Sequence, residues 1–153
     1  MQDSNQFHSV CLDTYPPIFY LNDISSSIIQ LITAYNQHHK QTRAAYTFDA
    51  GPNAVLYLLK KDVPDVLRLI LHFFPPSSQQ DSSSYFNNHS LLKEINVSDL
   101  RNVDCPSGFN GDLSFTPRPG CLQFVQHTTL GEGPQVLDLG ASLLDKSGEL
   151  IQN

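Results

Sequence analysis

The sequence predicts an α+β fold, with helices packed on one face of a small antiparallel sheet, and three observations carry that expectation. Two apolar runs, over residues 24–35 and 63–74, repeat at helical spacing. Between them lie two short β-rich runs, Tyr46-Thr47-Phe48 and residues 55–59, joined by the turn composition Ala50-Gly51-Pro52-Asn53. At 153 residues, 40% hydrophobic and 16% charged, the chain suits a single domain with a real core.

The opening residues, 1–14, place Phe7, Val10, Cys11 and Leu12 at helical spacing with no cap before them, as the second half of a helix would. Sequence upstream of Met1 is therefore expected, as in a truncated reading frame or partial transcript. Tyr15-Pro16-Pro17 ends this helix, because a residue before proline is pushed out of the helical region and proline supplies no backbone donor. Residues 18–21 follow as a short extended segment. A second helix starts at Asp23 as cap, with Ile24, Ile28, Leu31, Ile32 and Tyr35 on one face. His38 and His39 near its end point about 100° apart and cannot chelate one ion together, so a solvated helix end is expected.

Asp49 stands between the two β-rich runs, so a carboxylate is carried to the lip of the sheet. Its spacing alone leaves two roles open: a turn residue bonding its own backbone, or a group presented for chemistry. Beyond the second strand, Asp62 and Pro64 supply a cap and a first-turn proline for a further helix striped by Val63, Val66, Leu67, Ile70, Leu71 and Phe74. Pro75-Pro76 stops it, and His72 within it is expected to be a hydrogen-bonded structural histidine.

Residues 77–119 turn to Ser, Asn, Gln, Asp, Pro and Gly, and read as a long surface excursion with a helical turn or two near Leu91-Leu92 and residues 95–100. Residues 121–130 have the composition of a third strand. Gly131 and Gly133 form no phosphate loop, since no helix start or suitably spaced Lys follows. Two or three helices on one face of a three-stranded sheet make a sandwich that lacks a partner layer.

Nine Lys and Arg against fifteen Asp and Glu give a formal charge of −6, which argues against a nucleic-acid footprint and against polybasic membrane attachment. No apolar run has the length of a membrane span and the start is no signal peptide, which places the chain in the cytosol. Cys11, Cys105 and Cys121 show neither metal nor redox spacing and are expected as reduced thiols. The sequons at Asn88 and Asn96 then stay unused.

The blocks Asp3-Ser4-Asn5-Gln6-Phe7-His8, Cys11-Leu12-Asp13-Thr14-Tyr15-Pro16-Pro17-Ile18, Tyr20-Leu21-Asn22-Asp23-Ile24 and Ala45-Tyr46-Thr47-Phe48-Asp49-Ala50-Gly51-Pro52-Asn53-Ala54-Val55 closely resemble the C-terminal part of the diphosphomevalonate decarboxylases, members of the GHMP kinase superfamily. The resemblance is dense over residues 1–76, weakens across the polar excursion and returns at Gly131-Glu132-Gly133-Pro134-Gln135-Val136-Leu137 and over residues 143–148.

It implies a GHMP-type C-terminal α/β sandwich, one lobe over residues 1–153, incomplete because the N-terminal lobe is absent. It also implies ATP-dependent decarboxylation of mevalonate 5-diphosphate to isopentenyl diphosphate, with ATP and Mg2+ as co-substrate and ion and a homodimer as the assembly. Asp49 matches the family's essential aspartate, usually assigned as base for the 3-hydroxyl, while Gly51, Asn53 and Ala54 support the substrate site. The family's phosphate loop and its cationic substrate contacts have no counterpart here, so the chain alone is expected to be inactive. Two functions remain open: the catalytic Asp lobe of such a decarboxylase, or a non-enzymatic remnant or interaction module that associates with a full-length enzyme.

Overall fold

The computed structural model describes residues 1–109, 111–136, 138, 141–145 and 147–150, so Leu137 and Lys146, which fall in the two returning C-terminal blocks, lie outside the described residues. In chain order the elements are α1 (Gln2–Leu12), α2 (Asp23–His38), β1 (Ala44–Phe48), β2 (Ala54–Leu58), a 3-10 turn (Lys60–Asp62), α3 (Val63–Phe73), α4 (Ser82–Tyr85) and α5 (His89–Glu94). The α+β class stands. The sheet, however, has two antiparallel strands among the described residues, registered Ala44 opposite Leu58 through Phe48 opposite Ala54.

Two apolar clusters share α3. On one side Ile28, Leu31, Ile32 and Tyr35 of α2 pack with Ala44, Tyr46 and Phe48 of β1 and with Val66, Leu69 and Ile70 of α3. On the other side Leu67 and Leu71 meet Tyr85, Phe86, Leu91, Leu92, Ile95, Leu100 and Val103. An apolar arc this wide on an 11-residue helix leaves little of it for water, which is why α3 is the most buried helix of the fold.

Alternation along the strands separates two faces. Ala44, Tyr46 and Phe48 turn inward, whereas Val55 and Tyr57 stand 44% and 66% exposed on the outer face, so β2 is half-buried although its run is apolar throughout. The hydrogen-bonding edges differ too. Asn36 takes both backbone groups of Ala44, and Ser4 takes both of Phe48, all on the side of β1 away from β2. Ladder parity then makes Ala45–Tyr57 and Thr47–Val55 the hydrogen-bonded pairs and turns the backbone groups of Ala54, Leu56 and Leu58 to the free edge of β2. The described residues place no strand on that edge, nor a layer over Val55 and Tyr57.

Several local expectations change. Helix α1 buries Ser4, His8 and Cys11, leaving Phe7, Val10 and Leu12 exposed, because the face that meets β1 bonds to main chain rather than filling an apolar gap. Asn22, not Asp23, caps α2: its side chain accepts from Ile24 N and Ser25 N while Ser25 Oγ accepts from Asn22 N, a reciprocal capping box. Asp62 precedes α3 but makes no side-chain cap bond and instead pairs with Arg43 at 3.5 Å. His72 is the structural histidine expected, with Nδ1 2.7 Å from Val103 O.

Residues 77–119 are no surface excursion, since Tyr85, Phe86, Leu91, Leu92, Ile95, Leu100 and Val103 from this stretch build the second cluster. Nor do residues 121–130 form a third strand. The extended chain there is stitched to residues 73–87, with Arg118 N to Phe73 O at 2.7 Å, Gly120 N to Pro75 O at 2.8 Å, Val125 N to Tyr85 O at 2.7 Å and His127 N to Asn87 Oδ1 at 2.7 Å. Its only ladder contact among the described residues is an isolated bridge between Val125 and Phe86. Gly120 is required at this crossing: φ is +74°, and a Cβ would sit 2.8 Å from Ser77 Cβ.

Candidate active site

Asp49 leaves the end of β1 exposed to solvent, at the rim formed by the 49–53 turn. Its main-chain oxygen accepts from Gly51 N at 2.8 Å, and among the described residues its carboxylate takes no hydrogen bond. The self-bonded turn role therefore describes the backbone of Asp49 and leaves both carboxylate oxygens available. Gly51 has ordinary φ, and a Cβ there would meet open space, so nothing within this chain demands glycine at that position. Asn53 is exposed at the far side of the turn, and Ala54, opposite Phe48, packs against the main core. Asp49, Gly51 and Asn53 thus lie on one turn and Ala54 opens β2, and only Asp49 presents an ionisable group.

What fixes this rim comes from α1. Ser4 Oγ accepts from Phe48 N at 3.0 Å and donates to Phe48 O at 3.4 Å, and His8 Nε2 lies 3.2 Å from the same oxygen. One residue further along, Asn5 Oδ1 accepts from Tyr46 Oη at 3.1 Å. Ser4 and His8 are one helical turn apart on the same face, and both are more than nine-tenths buried. Apolar periodicity could not find these residues. The available signal was a face of small and polar groups, Ser4, His8 and Cys11, repeating at i, i+4 and i+7.

No Lys or Arg lies between residues 44 and 59, so the turn offers no cation to a phosphate. Among the described residues no group of three His, Cys, Asp or Glu side chains is placed to hold a metal ion. A separate cleft of about 390 Å³ lies on the far side of α2, where Tyr35, His38, His39, Arg68, Asp104 and Cys105 line it. His39 there stands edge-on to Tyr35 with ring centres 4.6 Å apart, and burial with nearby Arg43 holds its pKa below the usual histidine value. The expected solvated helix end is met by His38 alone; His39 is half-buried.

Cys11, Cys105 and Cys121 are free thiols, and burial pushes Cys105 and Cys121 above the ordinary thiol pKa. No helix among the described residues is long and apolar enough to cross a membrane.

The family described as mevalonate 5-diphosphate decarboxylase C-terminal domain matches residues 1–137. The diphosphomevalonate decarboxylase of Rattus norvegicus is 46% identical over 138 residues, covering 90% of this chain and 32% of its own length. That of Danio rerio is 42% identical over 156 residues, covering 95% and 35%. The solved structure of mevalonate diphosphate decarboxylase from Trypanosoma brucei superposes with a TM-score of 0.71 at 30% identity, over 95% of this chain and 36% of the other. The chain spans about a third of the length of the curated relatives it matches.

Proposed function

The chain belongs to the mevalonate 5-diphosphate decarboxylase C-terminal domain family, and we propose that it forms a single C-terminal lobe supplying Asp49 to the decarboxylation of mevalonate 5-diphosphate. The single observation that carries this is the free carboxylate of Asp49 at a rim whose backbone is held by α1. In the reaction an Asp49 oxygen takes the proton of the tertiary 3-hydroxyl as that oxygen attacks the γ-phosphoryl group of ATP, with ADP leaving. An alcohol attacks there only when its proton has an acceptor within hydrogen-bond reach. Phosphate then departs from C3 with its bonding pair, and the C1–C2 pair becomes the C2=C3 bond as carbon dioxide leaves, giving isopentenyl diphosphate. Once that proton has passed to solvent, the regenerated carboxylate stabilises positive charge developing at C3.

Gly51, Asn53 and Ala54 shape the wall beside that carboxylate. The described residues do not fit Mg2+ or the phosphates of ATP, because the turn carries one carboxylate and no cation. Nucleotide, Mg2+ and diphosphate contacts therefore belong to the parts of the complete enzyme that the match does not cover. The cytosolic homodimer is carried over from the family resemblance alone.

Exchange of Asp49 for Asn or Ala in the complete enzyme tests this. Turnover is expected to fall by about 10²–10⁴-fold, the usual worth of a positioned general base, with ATP affinity nearly unchanged. Near-normal turnover removes Asp49 from the mechanism. The second role, a non-enzymatic module that associates with a full-length enzyme, draws on the open edge of β2 and the exposed Val55 and Tyr57 beside it. It predicts that the 153-residue chain is captured by a full-length relative without altering its turnover.

A further inference from the structure

We propose that Ser4 and His8 are positioning residues for Asp49, acting through the Phe48–Asp49 peptide; this rests on the assignment of Asp49 as the base. That peptide is planar, so fixing the Phe48 carbonyl also fixes the Asp49 nitrogen and with it the origin of the Asp49 side chain. The carbonyl receives two side-chain donors, Ser4 Oγ at 3.4 Å and His8 Nε2 at 3.2 Å, and Ser4 Oγ also accepts the Phe48 N–H at 3.0 Å. Three bonds thus converge on the last residue of β1, whereas Asp49 itself is tethered by one turn bond to Gly51.

The clamp is built from rigid parts. Both side chains project from α1 more than nine-tenths out of water, where hydrogen bonds are strong and their loss is costly. The His8 ring is boxed edge-on by Phe7, Tyr20 and Phe48, with ring centres at 5.1, 6.2 and 6.4 Å. To donate to Phe48 O, His8 carries its proton on Nε2. Asn5, bonded to Tyr46, sets the register of α1 along β1 so that residues 4 and 8 meet residue 48 and no other.

The alternative is that Ser4 and His8 merely satisfy the exposed edge of β1, as Asn36 does at its other end. The two roles separate in kinetics. A group that aims a base affects the chemical step, and a misplacement of about 1 Å is worth about 10²-fold in rate. It also loses its effect once the base is gone.

The test is a double-mutant cycle in the complete enzyme. Ser4→Ala is expected to lower kcat at least about 10-fold with both KM values within about twofold, and Ser4→Thr and His8→Gln, which keep a donor, recover most of that rate. In the Asp49→Asn background Ser4→Ala is expected to change the residual rate by less than about twofold. An equal loss in both backgrounds, or a loss that tracks only the unfolded fraction, overturns the clamp. Near-normal turnover of Asp49→Asn alone instead overturns the base assignment, so the two failures differ.

One measurement needs no substitution. In the unaltered 153-residue chain, the amide of Asp49 is expected to have an NMR order parameter close to the roughly 0.85 of rigid backbone and Phe48 N–H to be protected from exchange. An Asp49 amide as mobile as a free loop tip, below about 0.6, shows that nothing is being held and overturns the proposal even if Ser4→Ala does not fold.

Discussion

Asn36 grips Ala44 by both of its backbone groups, with Nδ2 donating to Ala44 O at 2.7 Å and Oδ1 accepting from Ala44 N at 3.1 Å, while the same Oδ1 accepts from Arg43 N at 2.8 Å. One side chain at the end of α2 thereby starts β1 and replaces the neighbouring strand its first residue would otherwise need. Asn36→Ala leaves three backbone groups without partners at a site where Ala44 is almost fully buried. A loss of roughly 2–4 kcal/mol is expected, at about 1 kcal/mol or more per group, read as a lower urea midpoint with unchanged m-value. A change below about 0.5 kcal/mol, the range of ordinary surface exchanges, would show that the grip is incidental.

Asp62 is 2% exposed, and one of its oxygens meets Arg43 Nη1 at 3.5 Å while Asp62 Oδ2, Arg43 Nε and Tyr35 Oη have no hydrogen-bond partner among the described residues. Removing the cation strands a buried carboxylate. Arg43→Met is expected to cost roughly 2–3 kcal/mol, the lower end for breaking a buried pair because Arg43 keeps some contact with water. Adding Asp62→Leu recovers most of it. If the double variant is as unstable as the sum of the singles, the two residues are not acting as a pair.

Leu92 reports whether residues 77–103 belong to the core. It is 8% exposed and lies among Tyr85, Leu91, Ile95 and α3. Leu92→Ala is expected to destabilise by about 2–4 kcal/mol, whereas a surface excursion would tolerate it within about 0.5 kcal/mol. Thermal unfolding by circular dichroism distinguishes the two directly.

Stability is expected to fall as the solution becomes alkaline. Burial raises the pKa of Cys105 and Cys121, and it raises Tyr85 further, with Cys121 adding to the shift. These groups keep their protons in the folded state at a pH where the unfolded chain has released them. The unfolded state then binds fewer protons, so the unfolding free energy declines with pH from about the ordinary thiol range, near pH 8.5, upward. Urea unfolding between pH 8 and pH 10 measures the slope, and Cys105→Ala with Cys121→Ala is expected to flatten its first part. A stability that stays level through this window contradicts the burial of these thiols.

The helices α2 and α3 were legible because each writes its buried face as an apolar period, as Ile28-Leu31-Ile32-Tyr35 and Val66-Leu69-Ile70 show, and the strands because two β-rich runs flank a turn composition. The packing of α1 was not, because Ser4 and His8 recognise main-chain atoms and leave no hydrophobic pattern behind. The second cluster escaped notice for a different reason: Leu91, Leu92 and Ile95 fit a helical turn, but Tyr85, Phe86, Leu100 and Val103 are scattered among Ser, Asn and Asp with no sustained period. Residues 121–130 have strand composition, yet their hydrogen bonds go to residues 73–87, and composition does not say which partner an extended segment will find. Of the site, the position of Asp49 on a turn after β1 was legible, whereas the groups that hold the turn were not.

The hydrogen bonds of Ser4 and His8 to residue 48 use only its main-chain nitrogen and oxygen, which every residue but proline offers. The hydrogen-bonded grip thus asks for no particular side chain beside Asp49, only one bulky enough to box the His8 ring. Position 48 is free to drift among large apolar residues that fill the same inward place, while the constraint on aiming Asp49 is carried by two residues at least forty positions earlier in the chain. A saturation library should therefore find tolerance next door to the carboxylate and intolerance far from it, the reverse of what proximity along the sequence would suggest.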